Sequence, residues 1–303
     1  MYALPVPKPM GIPGLARSAT ARGLLWTSPF ILGFILFTLL PAALSLRYSL
    51  TDYNLLAPPV PIGLDNFREL IADPLVAKAL ANTALFASIN VALGTVLALG
   101  VALLVERGLP ASSCLRVVVF LPTLIPVVAA TLAWMWLLNP RTGLLNTALA
   151  SLGIRGPDWI NTAPWAMASV LMVSLWNVGG SALIYAAALR NIPRHLLDAA
   201  DIDGAGPARR FFSVTLPMIS PAVLLNLVMA LIWSLQAFAV PLVMTRGGPD
   251  NSTLTYALLV YNNAFSYGRM GYACALAWLQ FLLTAALVAI ALLIARKAVH
   301  TRA

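Results

Sequence analysis

Six long apolar stretches with few internal charges are the feature that most constrains how this chain can fold. Each reaches about the 20 residues that an α-helix needs to cross the hydrocarbon core of a bilayer. The chain is 60% hydrophobic and only 10% charged, which is typical of membrane proteins and unlike soluble domains. We therefore predict an all-α membrane protein with six transmembrane helices, over residues 24–46, 79–105, 115–138, 163–189, 217–244 and 271–295.

The basic residues predict how these spans are oriented. An even number of spans places both termini on one side, and cytoplasmic segments carry the excess of Lys and Arg. Twelve of the 19 Lys and Arg residues lie on the side of the N terminus and seven on the opposite side. We predict a cell-membrane protein with a cytoplasmic segment over residues 1–23, a transmembrane domain over 24–295 and a cytoplasmic tail over 296–303.

The ionisable residues argue against several functions. All ten Asp and Glu residues lie in loops or at span ends, whereas ion-coupled transporters usually carry such groups at membrane depth. None of Lys8, Lys78 and Lys297 precedes Ser or Thr, so an ATPase phosphate-binding loop is missing. The net charge of +9 is dispersed at helix ends, which fits anionic lipid rather than nucleic acid. We expect a passive pore, or a permease driven by a separate subunit, rather than an enzyme with a metal or cofactor.

The longest predicted cytoplasmic loop, residues 190–216, contains two helix signals. Pro193 fits an early helical position, Gly204 a helix stop, and Pro207 a second helix start, so we predict two short helices around a Gly-Ala-Gly turn.

Two carboxylates of this loop fall where a helix dipole disfavours them. Asp201 and Asp203 lie at the C-terminal end of the first predicted helix, where negative charge is unfavourable. Either Arg209 and Arg210 fold back as ion pairs, or the loop docks on another protein. The loop chemistry leaves both interpretations open.

One string in this loop resembles the "EAA" loop of ABC importer permeases: Asp198-Ala199-Ala200, Asp203-Gly204-Ala205, Phe211 or Phe212, Leu216-Pro217 and Pro221. In that family the loop is a coupling helix that docks on a cytoplasmic ATPase. The resemblance implies that this contact is made by Asp198, Ala199, Ala200, Asp203, Gly204 and Ala205. At the first position, Asp198 stands where the family pattern has Glu, which keeps the charge on a shorter side chain.

Two further signals resemble the carbohydrate and glycerol-phosphate branch of these permeases. They are Asn82-Thr83 and the segment from Thr245 to Thr253. Within the second, Gly247, Gly248 and Pro249 form a turn that ends the fifth span. As the resemblance implies, the same three residues are candidates for contact with an extracytoplasmic binding protein.

Polar and aromatic groups at membrane depth are the candidates for solute contact: Asn177, Asn226, Trp233, Gln236 and Gln280. Such groups face either a cavity or a neighbouring helix, and the sequence leaves both roles open. The family often has Asp after Phe in span five, where this chain has Ala239. The solute is then a sugar or an anionic compound such as glycerol phosphate or a glycerophosphodiester.

The resemblance implies a complete assembly around this chain. Its partners would be a second homologous permease, two ATP-binding subunits that hold ATP and Mg²⁺, and an extracytoplasmic solute-binding protein. This chain itself would bind no cofactor and no nucleic acid, and it would contact membrane lipid. The alternative is a passive channel or a membrane scaffold that is not driven by ATP.

Overall fold

The computed structural model describes residues 19–106 and 112–298, and within these ranges it is helical apart from one short two-stranded sheet. Most of the predicted N-terminal segment, up to position 18, lies outside the described residues, as does the predicted tail from position 299. Two bent helix pairs bring the candidate membrane spans from four to as many as six. Among the described residues, the four unbent candidates are Gly23–Ser49, Pro74–Glu106, Pro207–Met244 and Met270–Ala295.

The first candidate span combines α1 (Ala19–Phe34), a π-helical turn and α2 (Leu40–Ser49). It packs on the last helix, α15 (Met270–Ala298), where Trp278 Nε1 donates to Ser45 Oγ over 3.1 Å. Large apolar side chains along the rest of this span are exposed. A helix that is apolar on all faces and uncovered by protein is one that faces lipid.

Short elements close one end of the bundle, which we name the hairpin end. Asn66 Nδ2 donates to the carbonyls of Ser49 and Thr51 over 2.9 and 3.0 Å. The Gly271 N–H donates to the Tyr53 carbonyl over 2.9 Å, so the start of α15 is fixed against this end. The elements that follow the first span here are β1 (Thr51–Asp52), β2 (Val60–Pro61), antiparallel to β1, and α3 (Asp65–Ala72).

The central helix, α4 (Pro74–Glu106), has 33 residues and is therefore about 50 Å long. It runs from the hairpin end to the opposite end of the bundle. Its buried Ala98 and Ala102 belong to one core cluster with Ala182 and Ala186 of α9 (Gly179–Arg190). Such small side chains let two helix backbones approach closely.

The third and fourth predicted spans are each broken into two helices. α5 (Ser112–Phe120), extended by a 3₁₀ turn, meets α6 (Val127–Leu137) at 106°. Pro126 explains this break, because proline lacks an N–H and forces the preceding Ile125 into extended backbone. α7 (Leu144–Ser151) follows, and then α8 (Ala163–Trp176) meets α9 at 44° across Asn177 and Val178. The hydropathy of the sequence indicated neither break.

The fifth candidate span is interrupted as well. α12 (Leu216–Leu235) ends, residues 236–238 leave the helix, and α13 (Ala239–Met244) resumes. The Leu235 carbonyl accepts a bond from Gln280 Nε2 over 2.9 Å, and the Ala237 carbonyl one from Thr255 Oγ1 over 2.7 Å. These side chains satisfy carbonyls that would otherwise be costly to leave unpaired within a bilayer.

At the other end of the bundle, α10 (Arg194–Ile202) terminates as predicted at Gly204. Gly204 has φ +70°, its N–H donates to Asp201, and the Ala205 N–H donates to Ala200. This pair of bonds is the Schellman arrangement, in which glycine takes the left-handed position. The predicted second short helix is present only as a first turn, α11 (Pro207–Arg210), which continues through a π-helical turn into α12. We name this end the α10 end.

Candidate functional site

A cavity of about 640 Å³ lies where the three interrupted helices meet. Its wall includes Ile125 from the first break, Asn177 and Val178 from the second, and residues 236–238 from the third. Irregular backbone at membrane depth is tolerated where it is buried in protein or lines a cavity. The three breaks therefore meet at one cavity and line it together.

Four of the five residues predicted for solute contact line the cavity: Asn177, Asn226, Trp233 and Gln236. Asn226 is buried, and its Nδ2 donates to the Ala222 carbonyl over 3.2 Å. The fifth, Gln280, does not line it, because its side chain bonds the Leu235 carbonyl behind the wall. Its geometry is that of a group that joins two helices.

The cavity also has polar lining residues that sequence reasoning missed. Asn90 Nδ2 donates to Ser234 Oγ over 2.9 Å and so connects α4 to α12 across the wall. Thr95 lines the same side. The Tyr185 side chain, which is fully buried, belongs to the same wall. A polar residue inside an apolar span was a usable signal for Asn90, but the packing that buries Tyr185 was not readable from sequence.

The lining combines aromatic rings and neutral polar groups with aliphatic side chains. Phe86, Trp176, Trp233 and Phe238 contribute rings, and Trp233 is 70% exposed. Of the described residues that line the cavity, none is Asp, Glu, Lys, Arg or His. Amides and hydroxyls bond sugar hydroxyls, and rings pack on the apolar face of a sugar.

At the hairpin end, the two weaker sequence signals meet in space. Asn82 Nδ2 donates to the carbonyls of Asn251 and Leu254 over 2.7 and 3.0 Å. The N–H of Tyr256, which begins α14 (Tyr256–Tyr261), donates to Thr83 Oγ1 over 2.8 Å. These bonds hold the segment after α13 against the start of α4.

The Gly247-Gly248-Pro249 turn has a clear structural role. Gly247 is buried and has φ +89°, and an added Cβ would lie 3.3 Å from Leu254 Cδ1. Only glycine adopts this backbone without strain. Gly248 and Pro249 are half-buried beside it. The turn interpretation thus accounts for Gly247, and contact with a binding protein stays a prediction for the three residues.

The loop that resembles a coupling helix presents an exposed surface. Asp198, Ala199, Asp203 and Gly204 are exposed, Ala205 is half-buried and Ala200 is buried against the bundle. Ile202 is 86% exposed, which is unusual for a large apolar side chain on a polar surface.

The ion-pair interpretation holds for only one of the two loop carboxylates. Arg210 Nη1 lies 2.9 Å from each carboxylate oxygen of Asp201. Among the described residues, Asp203 makes no salt bridge, so its charge is directed at solvent beside Ile202.

Comparison with known proteins identifies the family. The profile of the family described as "Binding-protein-dependent transport system inner membrane component" matches residues 90–302. The probable ABC transporter permease protein YesP of Bacillus subtilis is 35% identical over 272 residues, which cover 88% of either chain. The chain belongs to the ABC importer permeases. This permease is accordingly a multi-pass protein of the cell membrane.

Other relatives of the permease are transport subunits too. It is 36% identical over 236 residues to the sulfoquinovosyl glycerol transport system permease protein SmoG of Agrobacterium fabrum, covering 78% of the permease and 77% of SmoG. It is 34% identical over 278 residues to the diacetylchitobiose uptake system permease protein NgcF of Streptomyces coelicolor, covering 87% and 79%.

A solved bacterial ABC transporter for import of the acidic polysaccharide alginate shares the permease fold. Its chain aligns with a TM-score of 0.80 at 21% identity, covering 92% of the permease and 96% of that chain. A second structure of an alginate transporter, in complex with a pentasaccharide-bound periplasmic protein, aligns with a TM-score of 0.79 at 21% identity and covers 94% and 98%.

Proposed function

We propose that this permease forms one half of the solute pathway of an ABC importer, with six transmembrane spans and both termini in the cytoplasm. The observation that carries the proposal is the cavity at the three helix breaks. Its Trp233 side chain is largely uncovered. A second homologous permease would cover that side and complete the pathway.

The solute is a sugar, a glycoside or a glycerol-phosphate compound, and this half contacts its uncharged hydroxyl-bearing part. The neutral amides and rings around the cavity support this assignment. The names of SmoG and NgcF, which mention sulfoquinovosyl glycerol and diacetylchitobiose, support the sugar class. A charge on the solute would be met by the partner permease.

In this proposal the α10 end lies in the cytoplasm, and ATP hydrolysis is coupled to the permease there. The exposed surface around Asp198, Ile202 and Asp203 docks on an ATP-binding subunit. Docking shifts the pathway between its states only if the contact differs between the ATP-bound and ATP-free subunit. This permease is then not itself an enzyme, and two such subunits hold ATP and Mg²⁺ and hydrolyse ATP.

On the external side, the hairpin end receives solute from an extracytoplasmic binding protein. The alginate transporter that shares this fold has been solved with a periplasmic protein bound. Gly247, Gly248 and Pro249 remain the proposed contacts there, and Gly248 and Pro249 are less enclosed than Gly247.

The Asp203→Lys variant tests this function. The tagged permease is expressed with its native neighbours, purified in detergent, and assayed for co-purifying subunits and ATP hydrolysis. We expect an ATP-binding subunit to co-purify with the wild type, and the reversed charge at exposed Asp203 to abolish assembly or coupling. Asp65→Asn, on an exposed pair at the hairpin end, serves as control. A wild-type chain that purifies alone and moves solute without nucleotide would show a passive channel instead.

A further inference from the structure

A bidentate ion pair joins two helices at the α10 end. Arg190, the last residue of α9, donates through Nε to Glu106 Oε2 and through Nη2 to Glu106 Oε1, each over 2.8 Å. Glu106 belongs to α4 and lies 84 positions earlier in sequence. Arg116 of α5 adds a longer contact, with Nη2 3.5 Å from Oε1. Three helices therefore meet at one carboxylate.

The ion pair suits the end of α9. An arginine at the C-terminal end of a helix is favoured by the helix dipole. Arg190 meets this preference at the end of α9, and its planar fork matches both carboxylate oxygens. The side chain of Glu106 is 20% exposed and that of Arg190 is 52% exposed, so the carboxylate is the more shielded partner of the pair. Glu106 therefore has two arginine partners among the described residues, and Arg190 makes the close, bidentate contact.

The ion pair lies just before α10, the proposed coupling helix. Three residues, 191–193, separate Arg190 from α10, and Ile192 among them is buried. At its other end, α9 begins at the helix break that lines the cavity, and its Ser181 and Tyr185 lie in the cavity wall. The 12 residues of α9 make a rod about 18 Å long.

We propose that Glu106 and Arg190 are positioning residues for energy coupling. Their ion pair locks the base of α9 to α4, so a displacement of α10 moves the closely packed α4–α9 pair as one body. That movement reaches the cavity at the far end of α9. Without the lock, residues 191–193 absorb the displacement. The inference rests on the proposed function, because it assumes that an ATP-binding subunit moves α10.

The test reads the cavity directly and needs no identified solute. The purified complex carries Ser181→Cys as a reporter, with Cys114 and Cys274 replaced by serine. A maleimide labels the introduced thiol, mass spectrometry quantifies the labelled peptide of this chain, and the rate is compared without nucleotide and with ATP plus vanadate. We expect nucleotide to change the rate about fivefold or more in the reporter background.

Glu106→Gln should keep ATP hydrolysis but remove most of this response. Exchange of the two charges, Glu106→Arg with Arg190→Glu, should restore only part of it, because a reversed pair can lock the same helices while the introduced arginine faces Arg116. The matched control Asp65→Asn removes an exposed ion pair of 2.8 Å at the hairpin end and should leave the response unchanged.

Each remaining outcome counts against the lock. A Glu106→Gln complex that responds like the reporter background overturns it. A complex that fails to assemble with Glu106→Gln, and is not rescued by the exchanged pair, gives the residues a structural role only. A reporter complex that contains no ATP-binding subunit overturns the proposed function itself, which is a separate failure visible before any variant is made.

Discussion

At the scale of single residues, Gly179 and Gly180 are neighbours in sequence but have different surroundings. A Cβ at Gly179 would lie 2.2 Å from the carbonyl oxygen of Val119 in α5, whereas a Cβ at Gly180 would meet nothing within 4 Å. A glycine in a helix permits either close packing of a neighbouring helix or bending of its own helix. The structure assigns close packing to Gly179.

Gly179→Ala should therefore lower the free energy of unfolding by about 1–3 kcal/mol, because the backbone of α5 must shift to admit a methyl group. The measurement is the thermal unfolding midpoint of the purified permease in detergent. Gly180→Ala is the matched control, and we expect no loss of stability, since alanine is the better helix former. Equal midpoints for the two variants would contradict the close α5–α9 contact.

The residues predicted for solute contact show what a sequence reveals at this scale. The sequence predicts Asn177, Asn226, Trp233 and Gln236 because a polar or aromatic group at membrane depth usually faces either a cavity or a neighbouring helix. Gln280 carries the same signal, yet its amide bonds the Leu235 carbonyl. The partner of such a group lies on another helix, so its role depends on packing that one sequence does not display.

At the scale of elements, the end of α10 depends on one left-handed residue. Gly204 has φ +70°, and open space surrounds the position of its missing Cβ. Gly204→Ala should cost roughly 1–2 kcal/mol through backbone strain alone. Since α10 is exposed on one face, we expect the loss to appear as fraying of this loop and weaker coupling to ATP hydrolysis, with little change in the thermal midpoint.

Gly206→Ala is the control for that variant. Gly206 has φ −64° and equally open surroundings, so alanine fits there without strain. ATP hydrolysis by the assembled complex, measured for both variants, separates the two positions. Comparable coupling in both would show that the left-handed turn does not matter for docking.

Elements were predictable where the signal is local. The end of α10 followed from Gly204, and the start of α11 from Pro207, because glycine and proline act on their own backbone. The breaks inside the third, fourth and fifth predicted spans were not found. Their flanks are as apolar as any span, and the carbonyls freed around residues 235–237 are satisfied by Gln280 and Thr255 from far along the chain.

At the scale of the whole molecule, replacing the exposed Trp233 ring is expected to change transport but not stability. Trp233→Ala should raise the KM for solute uptake about threefold to tenfold, from the ~0.5–1.5 kcal/mol that an aromatic contact contributes. The fold should be unaffected, because 70% of this side chain is exposed within the permease. Uptake into proteoliposomes and the thermal midpoint of the purified permease provide the two measurements.

Trp136 provides the comparison for this variant. It is 83% exposed but lies outside the cavity, so Trp136→Ala should change neither KM nor the midpoint. A rise in KM for both variants would indicate a general effect of tryptophan loss on the membrane-embedded surface. An unchanged KM for Trp233→Ala would remove this ring from the pathway.

The bonds at the hairpin end also have a consequence for biosynthesis. Asn82 and Thr83 emerge from the ribosome 169 and 173 residues before Asn251 and Tyr256, which they bond. At usual rates of translation this is a delay of roughly ten to thirty seconds. The hairpin end of the permease is thus completed only after the segment that follows α13 has been made. A nascent chain that stalls earlier leaves Asn82 and Thr83 without these partners.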